Sequence, residues 1–112
     1  MAAPFNAAVL VVGFGSIGQR HVRVLRDLGC AVAVVSRHAE AGAGIYRTLP
    51  EALRDFRPGY CVLATATAEH AAGLADLAEA RFAGPVLVEK PLAARLAEIP
   101  GAAALKLFVV YN

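Results

Sequence analysis

The sequence predicts an α/β domain in which about six parallel strands form a doubly wound sheet with helices on both faces. Three observations predict it. Continuous apolar runs, residues 7–12 and 31–35 above all, read as strands buried on both faces, the habit of parallel sheets. Segments with helical apolar spacing separate those runs. Strand and helix alternate from end to end, which calls for right-handed crossovers. At 112 residues the chain is one domain at most, spanning 1–112.

The elements follow in order. Residues 7–12 form the first expected strand, and Gly13 ends it. From residue 16 to residue 28 the apolar positions Ile17, Val24, Leu25 and Leu28, with His21 in the same stripe, have helical spacing. Gly29 follows as a C-cap. Residues 31–35 are the second strand. Residues 36–45 are polar with two glycines and read as a loop with at most a vestigial helix. Tyr46-Arg47 is a short edge strand. Thr48-Leu49-Pro50-Glu51 fits a capping box, with Pro50 in the first turn of a helix through Phe56. Pro58-Gly59 turns the chain into a strand over residues 60–64. Thr67 caps a helix whose stripe is Ala71, Leu74, Ala75, Ala78 and Phe82. Gly84-Pro85 leads to the strand at 86–88, and a short helix covers 93–98. Pro100-Gly101 breaks that helix, and residues 105–111 form the last strand.

Composition excludes several classes. Hydrophobic residues make up 58% of the chain and charged ones 18%, so apolar burial can offset the entropy of ordering. A net charge of +2 is too weak and dispersed to argue for nucleic acid or a membrane surface. The longest apolar stretch, residues 7–12, falls far short of a bilayer span, and no basic segment precedes it as in a signal peptide. Cys30 and Cys61 lie far apart in apolar sequence without zinc spacing. They read as reduced packing residues of a cytoplasmic protein, and no metal is expected.

Gly13-Phe14-Gly15-Ser16-Ile17-Gly18 is a G-x-G-x-x-G turn between a buried strand and an amphipathic helix, the context in which such a turn grips a dinucleotide. Gly13 permits the tight turn, Gly15 lets a pyrophosphate approach the backbone, and Gly18 lets helix pack on strand. The unpaired amides at the helix start then face the anion. The end of the second strand distinguishes NAD from NADP. An NAD site usually carries an acid there for the ribose 2′-hydroxyl. This chain has Ser36-Arg37-His38 and no acid before Glu40. Arg37 can pair with a 2′-phosphate and Ser36 can donate to it, which favours NADP(H) over NAD(H).

With these residues in place, the chain resembles the glucose–fructose oxidoreductase, inositol dehydrogenase and rhizopine-catabolism (Gfo/Idh/MocA) family. Gly13 to His21 carries the first match. Ala64-Thr65-Ala66-Thr67-Ala68-Glu69-His70 is similar to the family's A-T-P-x-x-x-H after its fourth strand, with Ala66 where proline is usual. Glu89-Lys90-Pro91-Leu92 resembles the E-K-P segment after the fifth strand, and Val110-Tyr111-Asn112 the exit from the nucleotide domain. The resemblance implies a Rossmann domain that binds NAD(P) through Gly13–Gly18, Ala64, Thr65, Ala66, His70 and Glu89. It implies hydride transfer at a hydroxylated carbon of a sugar, cyclitol or similar molecule. It places Lys90 at the nicotinamide ribose and the reacting carbon, where an ammonium stabilises developing alkoxide charge and relays a proton, with Glu89 holding it.

Two further expectations complete the reading. The family's second domain supplies the substrate pocket and the acid–base histidine, and this chain stops about where it would begin. The chain is therefore expected to hold the cofactor and to need a substrate domain as partner. Its uncovered apolar surface is expected to favour a homodimer or aggregation. Of the histidines, His21 reads as a core residue, His70 as a neutral ring near a helix start, and His38 as an exposed loop residue. Two other classes use a similar glycine turn. A nucleotide-sensing regulatory module does not need Glu89-Lys90-Pro91, and a methyltransferase normally has an acid where Ser36-Arg37 stands.

Overall fold

The computed structural model describes residues 7–40, 42–65, 67–89 and 105–110. In chain order these form β1 (Ala8–Val12), α1 (Ser16–Asp27), β2 (Ala31–Val35), β3 (Ile45–Tyr46), α2 (Leu49–Phe56), β4 (Tyr60–Leu63), α3 (Thr67–Glu79), β5 (Pro85–Glu89) and β6 (Lys106–Val110). The six strands make one sheet in the order β3-β2-β1-β4-β5-β6, every neighbouring pair parallel. The expected doubly wound architecture is therefore present, with helices on both faces. The strands differ from the sequence reading only at their ends. β3 is Ile45–Tyr46 rather than Tyr46-Arg47, and β4 stops at Leu63. The helix expected over 93–98 lies outside the described residues.

Register sets the position of the site. Val12 pairs with Val35 on one side and Leu63 on the other, and Leu63 with Val88. The carboxyl ends of β1, β2, β4 and β5 therefore finish in one row. Gly13 donates its amide to Val35 O at 2.8 Å, and Ala64 to Val12 O at 2.8 Å, so the pairing runs one residue past β1 and past β4. Strand order reverses between β1 and β4, and the loops after them part there. Ligands of open α/β sheets sit in that crevice.

Alternation along each strand divides the core. Leu10, Val12, Ala33, Val35, Leu63 and Val88 point to the side of α2 and α3, where Leu49, Ala52, Leu74 and Leu77 meet them. Val9, Val11, Val34 and Val62 point to the side of α1 and pack on Val22. Leu77 was missing from the expected stripe of α3 and is fully buried, as is Leu74, while Ala75, Ala78 and Phe82 pack at the margin.

The stripe expected for α1 is corrected by the structure. Ile17 is 51% exposed, Val24 49% and Leu28 42%, and His21 is half-buried. Of that stripe only Leu25 packs on the sheet, and Gly18 and Val22 join it there. Gly18 is the reason. A Cβ there would collide with the Gly13 carbonyl, so only glycine lets the helix lie this close to the end of β1. Helix ends follow the sequence signals. Gly29 (φ +90°) closes α1 with amides of Gly29 and Cys30 donating to Arg26 O and Leu25 O, a Schellman ending. Thr48 Oγ1 accepts from the Glu51 amide at 3.3 Å at the start of α2.

Candidate functional site

The crevice beyond the carboxyl ends of the strands is a cleft of about 530 Å³. The glycine turn forms one wall, Ser36, Arg37 and His38 close one end, and Ala64 and Thr65 stand opposite. Seven of the residues singled out from sequence thus meet around one space: Gly13, Phe14, Gly15, Ser36, Arg37, Ala64 and Thr65. Ser16 and Ile17 are exposed in the first turn of α1, and Gly18 lies buried beneath Gly13 rather than on the cleft. His70 stands in the first turn of α3 and Glu89 at the end of β5. Ala66 and Lys90 lie outside the described residues.

The three glycines of the turn have different reasons to be glycine. Gly13 has φ +98°, and a Cβ on it would sit 3.0 Å from the Ala64 carbonyl and the Thr65 amide nitrogen. Backbone conformation and packing both require it. Gly18 is required by helix–strand contact alone. Gly15 is required by neither, since its φ is −75° and a Cβ would meet nothing within 4 Å. The missing side chain at Gly15 leaves room in front of the backbone that none of the described residues fills.

The start of α1 adds an electrostatic feature. The first helical bond runs from the Gln19 amide to Gly15 O at 2.9 Å, so the amides of Ser16, Ile17 and Gly18 precede it. No side chain caps them, and no acid stands in the first turn. Amides and helix dipole there suit a bound anion such as a diphosphate. The Gly13 amide is not part of this set, because Val35 O already accepts from it.

Residues not singled out from sequence also line the cleft. Arg47 and Thr48 enter it from the β3–α2 junction, and Gly73 and Asp76 from α3. Arg47 donates from Nη1 to Ser36 O at 2.8 Å and to Ala39 O at 2.6 Å. Its sequence signal was its place directly before the capping threonine, but the parallel pairing that brings β3 beside β2 was needed to make Arg47 a neighbour of Ser36. Among the described residues there is no cluster of His, Cys, Asp or Glu able to hold a metal. No helix among them is long and apolar enough to cross a membrane. Burial pushes the Cys61 thiol up to about 12, but Cys61 belongs to the packed core rather than to the cleft.

Comparison with known proteins places this geometry. Residues 7–106 match the model of the oxidoreductase family with an NAD-binding Rossmann fold named for Gfo, Idh and MocA. The chain belongs to the Gfo/Idh/MocA family. Among solved structures, GenD2 from gentamicin A biosynthesis in complex with NAD is similar at 28% identity and TM-score 0.75, covering 97% of this chain and 35% of that one. The WlbA dehydrogenase from Bordetella pertussis, in complex with NADH and UDP-GlcNAcA, is similar at 24% identity and TM-score 0.73, covering 94% and 37%. The NADPH-dependent glyoxylate/hydroxypyruvate reductase of Sinorhizobium meliloti, in complex with NADP and sulfate, shares the fold at 21% identity and TM-score 0.57, covering 100% and 40%. This Gfo/Idh/MocA chain thus spans between about a third and two fifths of the length of these proteins. No curated protein sequence matched it significantly. The chain is an NAD-binding oxidoreductase domain of that family.

Proposed function

We propose that this chain is the nucleotide-binding part of an NAD(P)-dependent oxidoreductase that moves hydride to or from a sugar, cyclitol or similar hydroxylated molecule. Gly15 carries the reading. Neither strain nor packing accounts for a glycine at that position, whereas close approach of a diphosphate to the backbone does. When bound, the nicotinamide supplies or accepts the hydride. The chain's own residues bind and orient. The amides of Ser16 and Ile17 at the exposed start of α1 face the diphosphate, Gly18 sets the helix against the strand beneath it, and Gly13, Phe14, Ala64 and Thr65 form the flanks. Ser36 and Arg37 favour NADP(H), since a 2′-phosphate meets a hydroxyl and a guanidinium there and no carboxylate at the end of β2.

Lys90 and Glu89 are assigned from their likeness to the family's E-K-P segment. Glu89 ends β5, in the row where β1, β2 and β4 also end, which suits a pair acting at the nicotinamide. Lys90 stabilises alkoxide charge and relays a proton, and Glu89 holds its ammonium. Ala66 and His70 are assigned to the cofactor by the same likeness to the family's segment after the fourth strand. The substrate pocket and acid–base histidine belong to a second domain, a reading supported by the 35–37% of GenD2 and WlbA that this chain covers. The apolar surface left open on the face of α1 favours self-association. The free cysteines in apolar surroundings favour a cytoplasmic location.

The test is Gly15→Val. A Cβ has room and the backbone is unstrained, so the melting temperature should stay near that of the parent chain. NADH and NADPH affinity, read by nucleotide fluorescence, should fall by about tenfold or more, the scale of losing one hydrogen bond to a charged group. Unchanged affinity in the variant, or a parent chain that binds neither nucleotide, refutes the proposal.

A further inference from the structure

Ser36 and Arg47 are joined by hydrogen bonds that define what their end of the cleft can bind. The Ser36 hydroxyl accepts from the amides of His38 at 3.2 Å and Ala39 at 3.0 Å. A serine oxygen has two acceptor positions and one hydrogen to donate, so Ser36 meets a ligand as a donor. Arg47 bridges the same turn from the other side, Nη1 donating to Ser36 O and Ala39 O. Those bonds use two of the five guanidinium hydrogens, and those on Nε and Nη2 have no partner among the described residues. Arg47 is exposed at the cleft wall beside Arg37 and His38. The one acid among the described residues lining this cleft, Asp76, belongs to α3 and not to the end of β2.

We propose that Arg47, at the β3–α2 junction, is a specificity-determining residue for the ribose 2′-phosphate of NADP(H). One guanidinium nitrogen holds the 36–39 turn in a shape that leaves the Ser36 hydrogen for a ligand oxygen. The remaining N–H donors and the fixed positive charge address the phosphate directly. Two cations from separate elements, Arg37 after β2 and Arg47 after β3, then converge on one dianion. The 2′-hydroxyl of NAD(H) offers no charge to either. The assignment rests on the reading of this cleft as a dinucleotide site, and it assigns to Arg47 a selectivity that the end of β2 alone would otherwise carry.

The experiment compares NADPH and NADH dissociation constants for the full chain and for Arg47→Gln and Arg47→Lys. Arg47→Gln should weaken NADPH by about tenfold or more, on the scale of one charge-assisted hydrogen bond, and leave NADH within about twofold. Arg47→Lys keeps the charge without the planar fork and should fall between the parent and Arg47→Gln. Added salt should weaken NADPH more in the parent than in Arg47→Gln. A merely structural Arg47 weakens both nucleotides equally, and that result, or no change in either, overturns the inference while leaving the dinucleotide site intact. A parent chain that prefers NADH overturns the 2′-phosphate assignment together with the role of Arg47. A parent that binds neither nucleotide refutes the underlying site. If Arg47→Gln melts well below the parent, the NADPH-to-NADH ratio of Arg47→Lys decides.

Discussion

On the face covered by α2 and α3, Leu10, Leu63, Leu74, Leu77, Val86 and Val88 are all fully buried. On the face of α1, Val9, Val11, Val34 and Val62 are buried, but Leu87 is half-buried, and Tyr60 and Phe108 stand 46% and 57% exposed. A groove of about 480 Å³ runs along that second face, floored by Val9, Val62 and Leu87 and walled by Leu25 and Leu28. The strands supplying both faces are the same, and their side chains are equally apolar. Connectivity makes the difference. Right-handed crossovers put the β3–β4 and β4–β5 connections, which carry α2 and α3, on one side of the sheet and the β1–β2 connection, which carries α1, on the other. Among the described residues α1 is thus alone on its face, and it reaches β1 and β2 but not β6. Hydrophobicity tells which strands are built for burial, and topology tells which of their faces the chain itself can cover.

Truncating one large apolar side chain on each face tests the difference most strongly. Leu77→Ala opens a cavity where nothing can collapse into it and should cost about 2–5 kcal/mol in urea unfolding. Phe108→Ala removes a side chain that is mostly in water and should change stability by about 0.5 kcal/mol or less. Equal losses would mean that the α1 face is covered in solution, for instance by a second copy.

The same contrast explains how much was legible from sequence. The architecture was, because long apolar runs, the glycine turn, the Thr48 cap and Gly29 each act through local physics. The candidate cleft was legible where its residues sit at strand ends, since register then aligns Gly13, Ser36 and Ala64. The contact face of α1 was not. An apolar stripe at Ile17, Val24, Leu25 and Leu28 looks like a core face, yet only Leu25 packs on the sheet, and Gly18, which sets the orientation, has no hydrophobic signal. The helix sits roughly a quarter-turn from the expected stripe because backbone proximity at Gly18 outweighs three aliphatic side chains. Arg47 was missed for a related reason. Its partners are eleven and eight residues away, and only the parallel pairing of β2 with β3 brings them together.

The packed face also predicts a pH effect. Cys61 is buried there, and desolvation raises its thiol from 9.0 to about 12. The unfolded chain loses that proton near the ordinary value while the folded chain keeps it. The unfolded state therefore binds fewer protons between pH 9 and 12, and stability falls as pH rises through that window. Well below pH 9, where the thiol is protonated in both states, the group contributes no slope. The loss should approach about 1.4 kcal/mol per pH unit inside the window, and Cys61→Ala should remove that component. Denaturation curves of parent and variant between pH 8 and about pH 11 measure the difference directly. Parallel pH dependences would mean that water reaches the sulfur and that this face is less tightly closed than its burial implies.

The smallest effect on stability is expected at the open face, where the effect on association should be clear. β3 and β6 are the outer strands of the described sheet, and Phe108 lies on β6. Self-association could run through the apolar groove or through backbone pairing at the β6 edge. Leu28→Glu puts a charge on the groove wall at the end of α1, and Phe108→Lys puts one on β6 itself. Both positions are already partly in water, so each change should leave stability within about 0.5 kcal/mol. If copies meet through the groove, both variants shift sedimentation equilibrium toward monomer at concentrations where the parent associates. If copies pair along the β6 backbone, Leu28→Glu leaves the association constant unchanged, because its charge lies outside such a contact. A parent chain that stays monomeric at millimolar concentration shows instead that the open groove is hydrated without driving contact, and the comparison of the two faces would then bear on folding alone.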